Sequence, residues 1–206
     1  MMVIKFLYGR LNNTGRILYL LAAVLLGVSL FFPWWSMDLV APQYPEGLNM
    51  SVYAHKIGGR IDILNNLNHY IGMKEINEAN FPELKIIPWV VGSVAFLAAL
   101  TAWLRHNGLA IFTTVAASFG GALGLYRMFH WLHKFGTDLD PNAPIKIPPF
   151  VPPVIGTNKL ANFMTYTGFG LGGYLLGIAI LLMFISLWRF RQWDEKSSSA
   201  SSQSSC

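Results

Sequence analysis

The sequence predicts an all-α integral membrane protein: a four-helix transmembrane bundle with a small folded outer loop between helices 1 and 2. Three observations lead there. The 206-residue chain is 53% hydrophobic and only 12% charged, and its mean hydropathy is +0.43. That charged share is about half the soluble-protein norm. Four apolar runs, about 17–35, 86–104, 109–126 and 164–188, can each cross about 30 Å of hydrocarbon at about 1.5 Å per helical residue. Between the first two lies 44–73, polar and dense in turn residues, although connections of about two to eight residues suffice to join helices in a bundle.

The first run follows Lys5, Arg10 and Arg16. Its apolar core is too long for a signal-peptide h-region. Leu39 also occupies the −3 position of the only nearby small-residue site, ending at Ala41, so an uncleaved anchor is expected. Trp34 and Trp35, Trp89, Trp103, Trp131, Trp188 and Trp193 stand near the run ends, as interfacial belts require.

The loop that follows, 36–85, reads as folded. Leu48, Met50 and Val52 alternate with Asn49, Ser51 and Tyr53, a period-two pattern for a short strand closed by a Gly58-Gly59 turn. Asp62 is placed to cap a helix of about 63–71 with Leu64, Leu67 and Ile71 as its apolar stripe and Gly72 just past its end. Residues 105–108 are so few that the second and third runs form an antiparallel hairpin.

Small residues offer close approach: Ala95/Ala99 and Ala98/Ala102, Gly120/Gly124, then Gly168/Gly172 and Gly173/Gly177. They serve packing within the bundle or docking of a partner subunit. The second outer loop, 127–163, begins as an extension of the third helix through Lys134. It then becomes the proline-rich 141–153, an extended strap or lid. Residues 1–196 form a single membrane domain on this reading, and the Ser-rich 197–206 is a disordered tail.

Charge sets the orientation. Lys5, Arg10, Arg16, Arg105, Arg189, Arg191 and Lys196 flank one side, while bases in the long loops are balanced by acids. Both termini are therefore expected on the cytoplasmic side of a bacterial inner membrane, with the long loops outside. The formal charge of +5 reflects this topology and not nucleic-acid binding. The single Cys206 excludes an intrachain disulfide and a thiolate metal site.

Candidate chemistry is sparse. None of the four runs carries a central charge, which gives no proton relay or ion path. No Ser/His/Asp arrangement or phosphate-cradling loop is present, so the chain is not expected to be an enzyme. His69, Met73, His130 and His133 could converge beneath the strap as a copper site, since imidazole and thioether suit Cu(I). The bland alternative is an interfacial polar rim, with the histidines bonded to loop backbone. A haem within the bundle would need histidines deep in the spans.

At 44–48 (YPEGL), 55–63 (HKIGGRIDI) and 67–73 (LNHYIGM) the chain resembles a family of small four-span membrane proteins encoded beside nitrous oxide reductase of the atypical, Sec-exported type. The resemblance is sharp in the loop and rests on hydropathy in the spans. It implies a non-enzymatic accessory subunit of nitrous oxide respiration that serves a periplasmic copper enzyme through maturation, docking or electron delivery. The folded loop 44–73 is the expected docking surface, with Tyr44, Pro45, Glu46, Gly47, Asn68, His69 and Tyr70 as its docking residues. Two other roles stay open: an electron-transfer subunit from quinol to a cytochrome, and a purely structural subunit of a respiratory membrane complex.

Overall fold

The computed structural model describes residues 9–146, 148–160 and 163–203. Helices and strands follow in this order: α1 (Asn13–Ser29), β1 (Trp35–Ala41), β2 (Tyr44–Val52), β3 (Ile57–Gly59), α2 (Ile61–Ile71), α3 (Ile87–Leu104), α4 (Asn107–Thr137), β4 (Gly156–Leu160), β5 (Phe163–Phe169) and α5 (Leu171–Gln203). The fold is thus mixed α and β, which corrects the all-α expectation. Among the described residues, three helical stretches are long and apolar enough to cross a membrane: α3, α4 and residues 171–189 of α5. Helix α1 has 17 residues and is shorter than these.

Two of the four expected spans were overdrawn because apolar turn or strand residues adjoin an apolar helix. Pro33 disfavours the helical region at Phe32, and α1 ends at Ser29. Trp35, expected at an interface, opens β1 and is 3% exposed. At the other end, residues 164–169 form β5 and the helix starts only at Leu171. Gly168 therefore lies on a strand and cannot pair with Gly172 on a helix face.

The chain forms two compact units. One comprises 1–28, 90–121 and 175–206, the other 29–89 and 122–174. In the helical unit, Tyr19, Ala22 and Leu26 of α1 share a core with Ala98, Ala102, Ala110, Ala117, Ala179 and Met183. The small side chains let the helices approach, as the Ala98/Ala102 spacing implies. Gly121 is the close-contact glycine of α4, since a Cβ there would lie 3.2 Å from Ile180 Cδ1. At Gly120 and Gly124 it would meet nothing within 4 Å. The Tyr19 hydroxyl lies 2.9 Å from Ala110 O and 2.7 Å from Thr114 Oγ1, so a buried polar group is satisfied across helices.

The second unit is built on a five-stranded antiparallel sheet of order β3-β2-β1-β5-β4. Both long loops feed one sheet, with β1 at its centre. Trp35 pairs with Val52 on one side and Phe169 on the other, and Met37 with Met50 and Thr167. The period-two reading of Leu48, Met50 and Val52 is realised in β2. Leu48 and Met50 are buried with Trp35 and Leu64, and Ile61, Leu67, Met128 and Leu132 pack against that cluster. The opposite face is polar: Asn49 Nδ2 donates to Asp38 Oδ1 at 2.8 Å, and Ser51 Oγ to Asn49 Oδ1 at 3.1 Å. One covered face and one wet face is the usual economy of an antiparallel sheet.

Helix α2 begins two residues earlier than its pattern suggested. Arg60, not Asp62, stands at the cap position and makes no side-chain cap bond. Asp62 falls in the first turn, where a carboxylate meets the positive end of the helix dipole. Gly72 ends α2 as expected, at φ 77° with its N–H bonded to Asn68 O. Gly58 and Gly59 lie in β3, not in a turn. Helix α4 continues to Thr137, as the expected extension of the third span. The tail expected to be disordered carries helical backbone to Gln203, where propagation from α5 needs no new nucleus; Cys206 lies outside the described residues.

Candidate docking surface on the sheet unit

The three segments that carry the resemblance fold as one continuous piece. Residues 44–48 open β2, 55–63 run through β3 into the first turn of α2, and 67–73 close α2 and its cap. Tyr44 packs against the sheet core, Pro45 and Glu46 are exposed, and Gly47 sits at φ 81°. Pro45 is tolerated because β3 pairs with β2 only at Met50, Ser51 and Val52, leaving no N–H partner at that position. At the far end of the piece, Asn68 is buried whereas His69 and Tyr70 are exposed, Tyr70 to 55%. The expected docking residues thus divide between the β1–β2 hairpin and the last turn of α2, and Asn68 is a core residue, not a surface one.

The proline-rich strap is a seam and not a free lid. The Asp140 N–H donates to Gly72 O at 2.8 Å and the Ile145 N–H to Tyr70 O at 3.0 Å, satisfying carbonyls that the end of α2 leaves open. Further along, the Phe150 N–H donates to Gly136 O at 3.0 Å, and Val154 O accepts the Trp35 indole N–H at 2.7 Å. Lys74 pairs with Asp138 where the strap starts. Hydrogen bonding and attraction from Lys74 hold the Asp138 carboxyl below its usual range, but both side chains are exposed. The backbone bonds therefore hold the strap more than this pair does.

The residues expected to bind copper each have other neighbours. His69 meets the Tyr70 ring edge-on, His130 stacks on Tyr126, and His133 Nδ1 lies 3.4 Å from Thr137 Oγ1. Met73 is half-buried past the end of α2. Among the described residues, no three His, Cys, Asp or Glu side chains are grouped to hold a metal ion. Met37, Met50 and Met128 are packed into the sheet core, where a flexible thioether fills space.

Two further features carried no periodic sequence signal. A shallow cleft of about 300 Å³ lies between β3, α2 and residues 75–78, lined by Ile57, Ile61, Asp62, Asn65, Glu75, Ile76, Asn77 and Glu78. Its walls are fixed: Asn65 exchanges two hydrogen bonds with the Ile76 backbone, and Glu78 Oε1 accepts the Ile57 N–H at 2.9 Å. Its three carboxylates make it suited to a cationic group of a partner. The second feature is a clamp in which Glu83 pairs with Arg127 and accepts the Trp131 indole N–H at 3.2 Å, beside the stacked Phe81 and Phe135 rings. No family model matches this chain, and a comparison with curated proteins finds no match either.

Proposed function

We propose that this chain is a non-enzymatic accessory subunit of a bacterial inner membrane that presents its sheet unit to a periplasmic copper enzyme of nitrous oxide respiration. Its helices α3, α4 and α5 are the anchor. The observation that carries the reading is that all three resembling segments, separate in sequence, form the single β2–β3–α2 piece with an acidic cleft along it. Catalysis is not required of such a protein. Maturation, docking and electron delivery all need a presented surface, and docking is the role this piece fits most directly.

Deleting 44–73 would remove two strands and α2 along with the buried Leu48, Met50 and Leu64, so loss of activity would then report unfolding. Surface exchange is cleaner. Glu46→Lys combined with Tyr70→Ala changes one exposed residue at each end of the piece. A strain lacking the gene should stop consuming nitrous oxide while respiring other acceptors. The double variant should lose most of that consumption with its membrane level unchanged. Normal nitrous oxide consumption by the gene-disrupted strain would end the proposal.

The carboxyl terminus is proposed to be cytoplasmic, on the strength of Arg189 and Arg191 at the end of the last apolar helix. Cys206 is the only thiol and so reports the side directly. It should resist a membrane-impermeant maleimide in intact cells and react once the membrane is permeabilised. Labelling in intact cells would reverse the orientation and place the sheet unit in the cytoplasm, away from any periplasmic enzyme.

A further inference from the structure

The helical unit draws isolated basic residues into one place. Leu11 donates its N–H to Arg105 O at 2.8 Å, Asn107 donates to Gly9 O at 3.2 Å, and Arg10 bridges His106 between them. The Arg105 guanidinium turns onto α1 and donates to Asn13 Oδ1 at 3.0 Å; its backbone sits at φ 56°. Arg16 lies one turn beyond Asn13 on the same face of α1. On α5, Ser186 Oγ lies 2.9 Å from the position a Cβ on Gly15 would take, and Arg189 follows one turn later.

Four arginines are thereby brought to the start of α1, which is also where α4 begins, so the positive ends of two helix dipoles add to them. Residues 9–28, 90–121 and 175–189 contain no Asp or Glu. Nothing of opposite charge within those stretches balances the cluster. None of the four is lysine, and a planar guanidinium fork matches two oxygens of a phosphate as an ammonium does not.

Three of the four arginines also adjoin a large exposed apolar residue. Arg16 is followed by Ile17 (55% exposed), Arg105 is preceded by Leu104 (54%), and Arg189 by Trp188 (64%). Phosphate recognition and apolar surface are therefore paired at those three points. A free anion would use only the first. We infer that Arg10, Arg16, Arg105 and Arg189 form a binding site for the phosphodiester headgroup of an anionic phospholipid, whose acyl chains lie along the neighbouring apolar side chains. This inference rests on the membrane placement proposed above.

The test uses the full-length protein purified in a neutral detergent, with phosphatidylglycerol, phosphatidylcholine or inorganic phosphate added. Native mass spectrometry counts retained lipid, and thermal unfolding reads its effect. Wild type should retain phosphatidylglycerol in preference to phosphatidylcholine and unfold at a higher temperature with it. The exposed pair Arg16→Gln/Arg189→Gln should weaken retention by about fivefold for each arginine removed. Arg16→Lys/Arg189→Lys keeps the charge without the fork and should lose part of the preference; it is the variant to read if the glutamine pair fails to fold.

Equal retention of the two lipids would overturn the site. So would full retention by either double variant, or the same thermal shift from inorganic phosphate alone. Release of the protein from membranes by alkaline carbonate would overturn the membrane placement and this site with it. Stable membrane retention without lipid preference would overturn the site alone.

Discussion

Replacing Trp35 with alanine should unfold the sheet unit at temperatures where the wild type is intact. Trp35 is 3% exposed at the centre of the sheet, with paired neighbours on β2 and β5 and its indole N–H on Val154 O at 2.7 Å. Truncating a buried tryptophan costs about 3–5 kcal/mol, and the carbonyl left without its donor adds about 1 kcal/mol. Against a total stability of about 5–15 kcal/mol, this is a large fraction. A fall in Tm of about 10 °C is expected in a chain of this size, read by near-ultraviolet circular dichroism in detergent. Trp89→Ala provides the contrast, because Trp89 is 78% exposed and should shift Tm little. Equal effects at the two positions would mean that Trp35 is not the keystone described.

The second large effect is expected at Gly59, and its neighbour supplies the control. Gly59 sits at φ 108° in β3, and a Cβ there would fall 2.1 Å from Asn49 O. That carbonyl already accepts the Arg60 N–H at 2.9 Å. Alanine would meet backbone, which cannot rotate aside, in a conformation that by itself costs about 1–3 kcal/mol. Gly59→Ala should therefore detach β3 from β2 and lose the register that leads into α2. At Gly58 the nearest atom to a Cβ is Tyr53 Cε2, at 3.4 Å, an ordinary contact. Gly58→Ala should leave Tm nearly unchanged and keep slow hydrogen exchange at the amides pairing β2 with β3. If the two alanines behave alike, the steric account of Gly59 is wrong.

How much of the site was legible in the sequence follows from the range of each signal. Leu48, Met50 and Val52 announced a strand, and Gly72 a helix end, because alternation and a left-handed cap are local properties. At residues 164–169 the local signal was present and went unused. Threonines at 165 and 167 flank Tyr166, the alternation of a strand, and Thr167 is buried where Tyr166 is 45% exposed. A hydropathy window averages over that alternation and merges it with the helix behind it. The same averaging absorbed Trp34 and Trp35 into the run before them.

From the sequence alone came the apolar helices, the charge bias between their flanks, the folded character of 44–73 and the continuation of α4. All are set by composition, period and capping within a few turns of chain. Only the tertiary structure decided that the two long loops share a sheet, since the pairing of β1 with β5 joins residues more than a hundred positions apart. It also decided that the strap is bonded to the end of α2, and that the segments carrying four arginines gather at the start of α1. The physical reason is the same in each case. A backbone hydrogen bond or an ion's surroundings depend on what lies across space, and one-dimensional periodicity reports only which face of an element is apolar.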